Sequence, residues 1–141
     1  MNPAFRITAV IGYLIAALAL PGCSSEPKAP EIEHVMLPTR EMQATFPAEF
    51  KKVHEAALRC VRDQLGYTVN ASHMDVTKGR GRIDGSLSDG GTVRVETERA
   101  HDPESTQVQV FAVNAGSKTG NTEVADNILD RLRSALWPES K

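Results

Sequence analysis

Gly81-Arg82-Ile83-Asp84-Gly85-Ser86-Leu87, Ser88-Asp89-Gly90-Gly91-Thr92, Val93-Arg94-Val95-Glu96-Thr97: this stretch alternates apolar and polar residues on both sides of a glycine-rich break. A period of two puts Ile83, Gly85 and Leu87 on one face of a strand, with Arg82 and Asp84 on the other. Val93, Val95 and Thr97 repeat the pattern against Arg94 and Glu96. Two such strands around an Asp-Gly pair read as a hairpin. Both inward sets are odd-numbered, so the loop between them must hold an odd number of residues. Asp89-Gly90-Gly91 meets that condition, and it sets Leu87 opposite Val93 and Arg82 opposite Glu98.

The next strand is read in the same way. Val108, Val110 and Ala112 are even-numbered, so the preceding loop must be even, and His101-Asp102-Pro103-Glu104 fits with Pro103 in a type I turn. Thr97 then faces Val108, and Val95 faces Val110. Parity sends Phe111 and Val113 to the open face, with Arg94 opposite Phe111 and placed to lie over its ring. An apolar patch there marks a partner or ligand site, or else sits under a covering loop, linker or tail. Arg94, Phe111 and Val113 are therefore the candidate partner surface. Tyr67, Val69, Ala71 and His73 supply the inward set of the first strand.

Helices flank these strands. Phe50, Val53, Ala57, Cys60, Val61 and Leu65 recur at helical spacing, with Lys51, Lys52, Glu55, Arg59, Arg62 and Asp63 on the other side and Gly66 as the stop. Asn121 or Thr122 caps a second helix with Val124, Ile128, Leu132, Ala135 and Leu136 as its stripe. Its acidic residues come early and its basic ones late, as the helix dipole favours. The expected fold class is α+β: a two-layer, four-stranded antiparallel meander with two helices on one face. Glu41 to Phe46 alternates as well and forms an extra short N-terminal strand.

Catalytic chemistry finds no support. His54-Glu55 begins like a zinc-protease motif, but Leu58 stands where the second histidine must be, so no metal site is expected. No serine lies in a nucleophile elbow, and no acid, base, nucleophile and orienter set forms, so no catalytic residue and no cofactor is assigned. The densest basic stretch, Lys78-Gly79-Arg80-Gly81-Arg82, reads as a solvated hairpin tip. Its functional reading makes Lys78, Arg80 and Arg82 candidate contacts for anionic headgroups or cell-wall polymers. A net charge of −2 and 5% aromatic residues give no reason to expect a nucleic-acid partner.

The beginning of the chain carries the clearest address. Arg6 precedes an apolar run from Ile7 to Leu20, which is too short to span a bilayer and reads as a secretion signal. Leu20-Pro21-Gly22-Cys23 resembles the bacterial lipobox. The resemblance implies cleavage before Cys23 and acyl chains on its thiol, so the membrane is a partner through those chains. Ser24, where Asp would signal inner-membrane retention, implies the outer membrane, with the domain in the periplasm. The expected organisation is signal peptide 1–22, lipidated cysteine and flexible Pro-containing tether 23–40, domain 41–138 and tail 139–141; within the tether, Ile32, Val35, Met36 and Leu37 form an apolar patch expected to pack loosely on the domain or else to bind a partner. Cys60 is then left without an intrachain partner and is expected to be buried.

The segment from Thr45 to Trp137 also resembles a family of small bacterial lipoproteins carrying a domain of unknown function. The likeness rests on the Phe46-Pro47 pair before a helix, on Gly81-Arg82-Ile83-Asp84-Gly85, on the Asp-Gly turn and Val-x-Val strand, and on Val124 to Asp130. It implies a fold and no reaction. The expected function is a non-enzymatic binding or structural module that meets an envelope protein or the cell wall. The alternative is a small-ligand or lipid-binding module with a groove between helices and sheet.

Overall fold

The computed structural model describes residues 29–138, so the signal segment, Cys23 and the tail 139–141 lie outside the described residues. In chain order the elements are β1 (Val35–Met36), β2 (Met42–Phe46), α1 (Phe50–Arg59), β3 (Thr68–Asp75), β4 (Arg80–Ser86), β5 (Thr92–Arg99), β6 (Thr106–Val113) and α2 (Thr122–Leu136). The strands make one antiparallel sheet in the order β1-β2-β6-β5-β4-β3. The fold is α+β, but the sheet has six strands where the sequence suggests a four-stranded meander. β2 is the expected extra strand, and it pairs with β6 so that Ala44 meets Val108 and Phe46 meets Thr106. β1 comes from the stretch read as tether.

The β5–β6 register is the one parity dictates, with Thr97 opposite Val108, Val95 opposite Val110 and Arg94 opposite Phe111. The β4–β5 hairpin differs. Gly85, not Leu87, faces Val93, and Arg82 faces Glu96 while Arg80 faces Glu98. The reason lies in the loop. The Leu87 N–H donates to the Gly91 carbonyl at 2.9 Å and the Gly90 N–H to the Leu87 carbonyl at 3.0 Å, so Leu87 pairs with Gly91 and the three-residue loop is Ser88-Asp89-Gly90, one residue earlier than expected. Gly90 takes φ +86°, a left-handed conformation that glycine adopts at little cost. A slip of two residues keeps every side chain on its expected face.

In β3 the expected inward set fails halfway. Val69 faces Gly85 as the alternation requires, but Ala71 pairs with Asp84 and Ser72 with Ile83. Asn70 is the extra residue of a β-bulge, which reverses the parity beyond it. Ala71 and His73 therefore point to the open face, and Ser72 and Met74 replace them on the inner one.

Both helices cover the inner face. Phe46, Val53, Val61, Ile83, Val95, Val108, Val110, Ile128, Leu129 and Leu132 are buried in a continuous core. His54 and Ala56 are buried as well, which widens the expected stripe of α1. In α2 the buried stripe is Ala125, Ile128, Leu129, Leu132 and Leu136, so Val124 and Ala135 sit at its margin. Asn121 caps α2, its side chain accepting from the Val124 N–H at 3.1 Å. Past Arg59 the chain widens into a five-residue turn, with the Leu65 N–H donating to the Cys60 carbonyl, and Gly66 ends it at φ +66°.

Residues 29–40 lie against the domain as a strap. The Arg133 Nε donates to the Pro30 carbonyl at 2.9 Å, Ile32 packs on the core, and the His34 ring meets the Asp126 carboxylate. The flexible-tether reading is thus corrected for residues 29–40. Helix packing and strand pairing hold a segment whose prolines, read alone, suggest a spacer.

Candidate binding face

With both helices on one side, the other side of the sheet is open, and its side chains stand in rungs across the strands. One rung runs His73, Arg82, Glu96, Gln109 and Gln43; the next runs Asp75, Arg80, Glu98, Gln107 and Thr45. From β3 to β6 these rungs line a concavity of about 490 Å³. Basic side chains border it on β4 and on the turn before it, carboxylates line β5, and amides line β6.

All three candidate anion contacts lie at this concavity, and each faces a carboxylate. Arg80 reaches Glu98 at 3.0 Å, Arg82 reaches Asp84 at 2.8 Å, and Lys78 lies 3.8 Å from Asp75. The hydrogen bond to Asp84 raises the Arg82 guanidinium above its ordinary range. The Lys78 backbone N–H holds the Asp75 carboxyl below its usual range. The basic run is therefore internally neutralised, and an anionic ligand has to displace exposed ion pairs, each of which contributes little in water.

Arg94, Phe111 and Val113 occupy the neighbouring part of the same face. The Arg94 guanidinium lies 5.4 Å from the Phe111 ring centroid. It is fixed there by Glu41 at 3.0 Å and Glu96 at 3.3 Å. A Cβ added at Gly120 would stand 3.4 Å from the Phe111 ring and 3.0 Å from the Arg40 carbonyl, so the loop before α2 also closes on it. Phe111 and Val113 are half-buried. Arg94, Glu41 and the 114–121 loop thus supply part of the cover that the sequence leaves open. Near Val113, Asp89 ties the β4–β5 loop to the loop after β6 by accepting from the Asn114 amide at 2.8 Å and the Ala115 N–H at 3.2 Å.

The space between helices and sheet is filled at its glycines. An ideal Cβ on Gly81 would lie 2.3 Å from the His54 Nδ1, and one on Gly85 would lie 2.8 Å from the Thr68 carbonyl. His54 is 2% exposed and its Nδ1 is 2.8 Å from the Thr97 hydroxyl. Burial lowers its pKa. Its Nε2 is buried without a hydrogen-bond partner. Cys60 is buried, contacts the Ile128 carbonyl, and has its thiol pushed up to about 11 by burial, which makes it a poor nucleophile. Among the described residues no group of three or more His, Cys, Asp or Glu side chains is arranged to hold a metal ion.

His34 is the contact that sequence reasoning missed. One ring nitrogen meets Asp126 and the other faces Asp130 at 3.8 Å, across 92 and 96 residues of chain. No local pattern signals such a pairing; the spacing of Asp126 and Asp130 on one helix face is the most that could have suggested it.

No family model and no curated protein matches the chain. The solved structure of CalU16 from Micromonospora echinospora is similar at 12% identity with a TM-score of 0.44, over 79% of this chain and 84% of that one. That likeness is too distant to bear on function.

Proposed function

We propose that the protein is a lipid-anchored envelope lipoprotein without catalytic role, whose periplasmic domain binds another envelope component through the open face of its sheet. The observation that carries this reading is the one-sided architecture. Both helices pack on the inner face, while the open face keeps a concavity of about 490 Å³ beside the Arg94–Phe111 pair. A partly exposed aromatic ring under a guanidinium, flanked by paired charges, is a surface that a partner can desolvate at its centre and leave wet at its rim.

The alternative, a ligand held between helices and sheet, has less support, since His54, Thr97 and the Thr68 carbonyl occupy the volume beside the inner-face glycines. The address rests on the likeness of Leu20-Pro21-Gly22-Cys23 to a lipobox. Outer-membrane sorting rests on Ser24, and the family likeness stands beside it as an expectation about the domain.

Two measurements test the proposal. Cys23→Ser releases the domain from membranes if acyl chains hold it; sedimentation of that variant with membranes sinks the anchor reading. A photo-crosslinker at position 94 or 111 in cells captures an envelope component. Recovery of solvent-quenched product alone, from a folded protein, sinks the partner-face reading.

A further inference from the structure

Three large apolar side chains are exposed among the described residues: Val35 at 45%, Met36 at 61% and Val76 at 48%. Val35 and Met36 are adjacent and make up β1, the outermost strand on one side of the sheet. They are also held firmly. β1 pairs with Gln43 and Met42, His34 is seated against Asp126, and Pro30 is tied to Arg133. A fixed pair of exposed apolar residues at a sheet edge needs an occupant, because such an edge otherwise invites uncontrolled association.

The length of the chain before the strap points to that occupant. Six residues, 24–29, separate Cys23 from Pro30, whose carbonyl accepts from the Arg133 Nε. Even fully extended, that connection spans no more than about 25 Å. An anchor at Cys23 therefore keeps the start of the strap, from which the chain runs into β1, within that distance of its acyl chains, while β3 lies at the far side of the six-stranded sheet from β1. We propose, resting on the lipid-anchor reading, that the β1 edge is the membrane-facing side of the domain, with Val35 and Met36 in contact with the headgroup region of the bilayer. Glu31 and Glu33 are exposed on the same strap and oppose anionic lipid, so the contact is apolar and does not depend on anionic headgroups. This orientation leaves the concavity by Arg80 and Arg82, several strands away, clear for the partner.

The test uses the full acylated chain in phosphatidylcholine vesicles, with Met36→Cys or Val76→Cys carrying an environment-sensitive fluorophore. The buried Cys60 does not compete for the label. Lipids bearing a nitroxide near the headgroup are expected to quench the label at 36 and leave the label at 76 bright. Equal quenching at both positions, or quenching at 76 alone, overturns the proposal; the latter makes the Lys78–Arg80 tip the membrane contact. The mass of the N-terminal peptide is read separately. An unacylated Cys23 in a chain that does not float with vesicles overturns the anchor reading and this orientation together. An acylated, floating chain with a bright label at 36 overturns the orientation alone.

Discussion

His54 fills the space above Gly81, and the two residues depend on each other. A methyl group at position 81 would sit 2.3 Å from the His54 Nδ1 and 2.7 Å from the Thr97 hydroxyl, and the packed core around them gives neither side chain room to move away. Gly81→Ala is therefore expected to destabilise the domain by about 1–3 kcal/mol, read as a lowered denaturation midpoint; an unchanged midpoint contradicts the packing described. The same histidine makes stability depend on pH. Burial lowers its folded-state pKa below the ordinary 6.5, so the unfolded chain binds more protons between the two values. The stabilisation it contributes is present above about pH 6.5 and is lost as pH falls toward the folded-state value. Melting curves between about pH 7 and pH 5 should show this fall, and His54→Gln, which keeps a polar group near Thr97 but does not titrate, should flatten it. Equal slopes for variant and wild type would assign the pH dependence to other groups.

Among the elements, β6 was the most legible and β3 the least. The β5–β6 register followed from parity alone, since the Ala100 N–H pairs with the Ser105 carbonyl and the four residues between them form the expected turn. Parity cannot detect a slip of two, and such a slip arises because the three-residue β4–β5 loop is Ser88-Asp89-Gly90, with Leu87 paired to Gly91. Parity also assumes an unbroken ladder, and the bulge at Asn70 broke it. The strap was legible only as an apolar patch expected to lie loosely on the domain, of which Ile32 packs on the core while Val35 and Met36 stay exposed; what fixes it comes from partners about a hundred residues away, not from its own pattern. Removing one of those partners tests that origin. Arg133→Ala or His34→Ala should speed amide exchange across residues 31–37 while leaving β5 and β6 protected, because strap opening is local. Uniform acceleration through the sheet would mean that the strap is integral to the core. At the start of α2, Asn121→Ala should cost about 0.5–2 kcal/mol, since it removes the acceptor for the Val124 N–H.

At the scale of the molecule, periodicity was sufficient to find one apolar and one polar face on the sheet, and hence two layers. It could not say how the polar face spends its charges. Among the candidate contacts, Lys78, Arg80 and Arg82 were legible as a basic run; that Asp75, Glu98 and Asp84 neutralise them depends on the β3–β4 turn and on the register of β4 against its neighbours. This neutralisation predicts that the wild-type open face has little attraction for anionic surfaces. Asp84→Asn combined with Glu98→Gln removes two negative charges, frees the Arg80 guanidinium and leaves Arg82 only Glu96 at 4.0 Å. The double variant should bind anionic vesicles in a salt-sensitive manner that the parent lacks. Its thermal stability should change little, because exposed ion pairs contribute only about 0–1 kcal/mol each. Comparison in the Cys23→Ser background keeps the acyl anchor from masking the effect. Equal vesicle binding by parent and variant would show that the carboxylates do not restrain the basic run, and would return Lys78, Arg80 and Arg82 to consideration as a free anion contact.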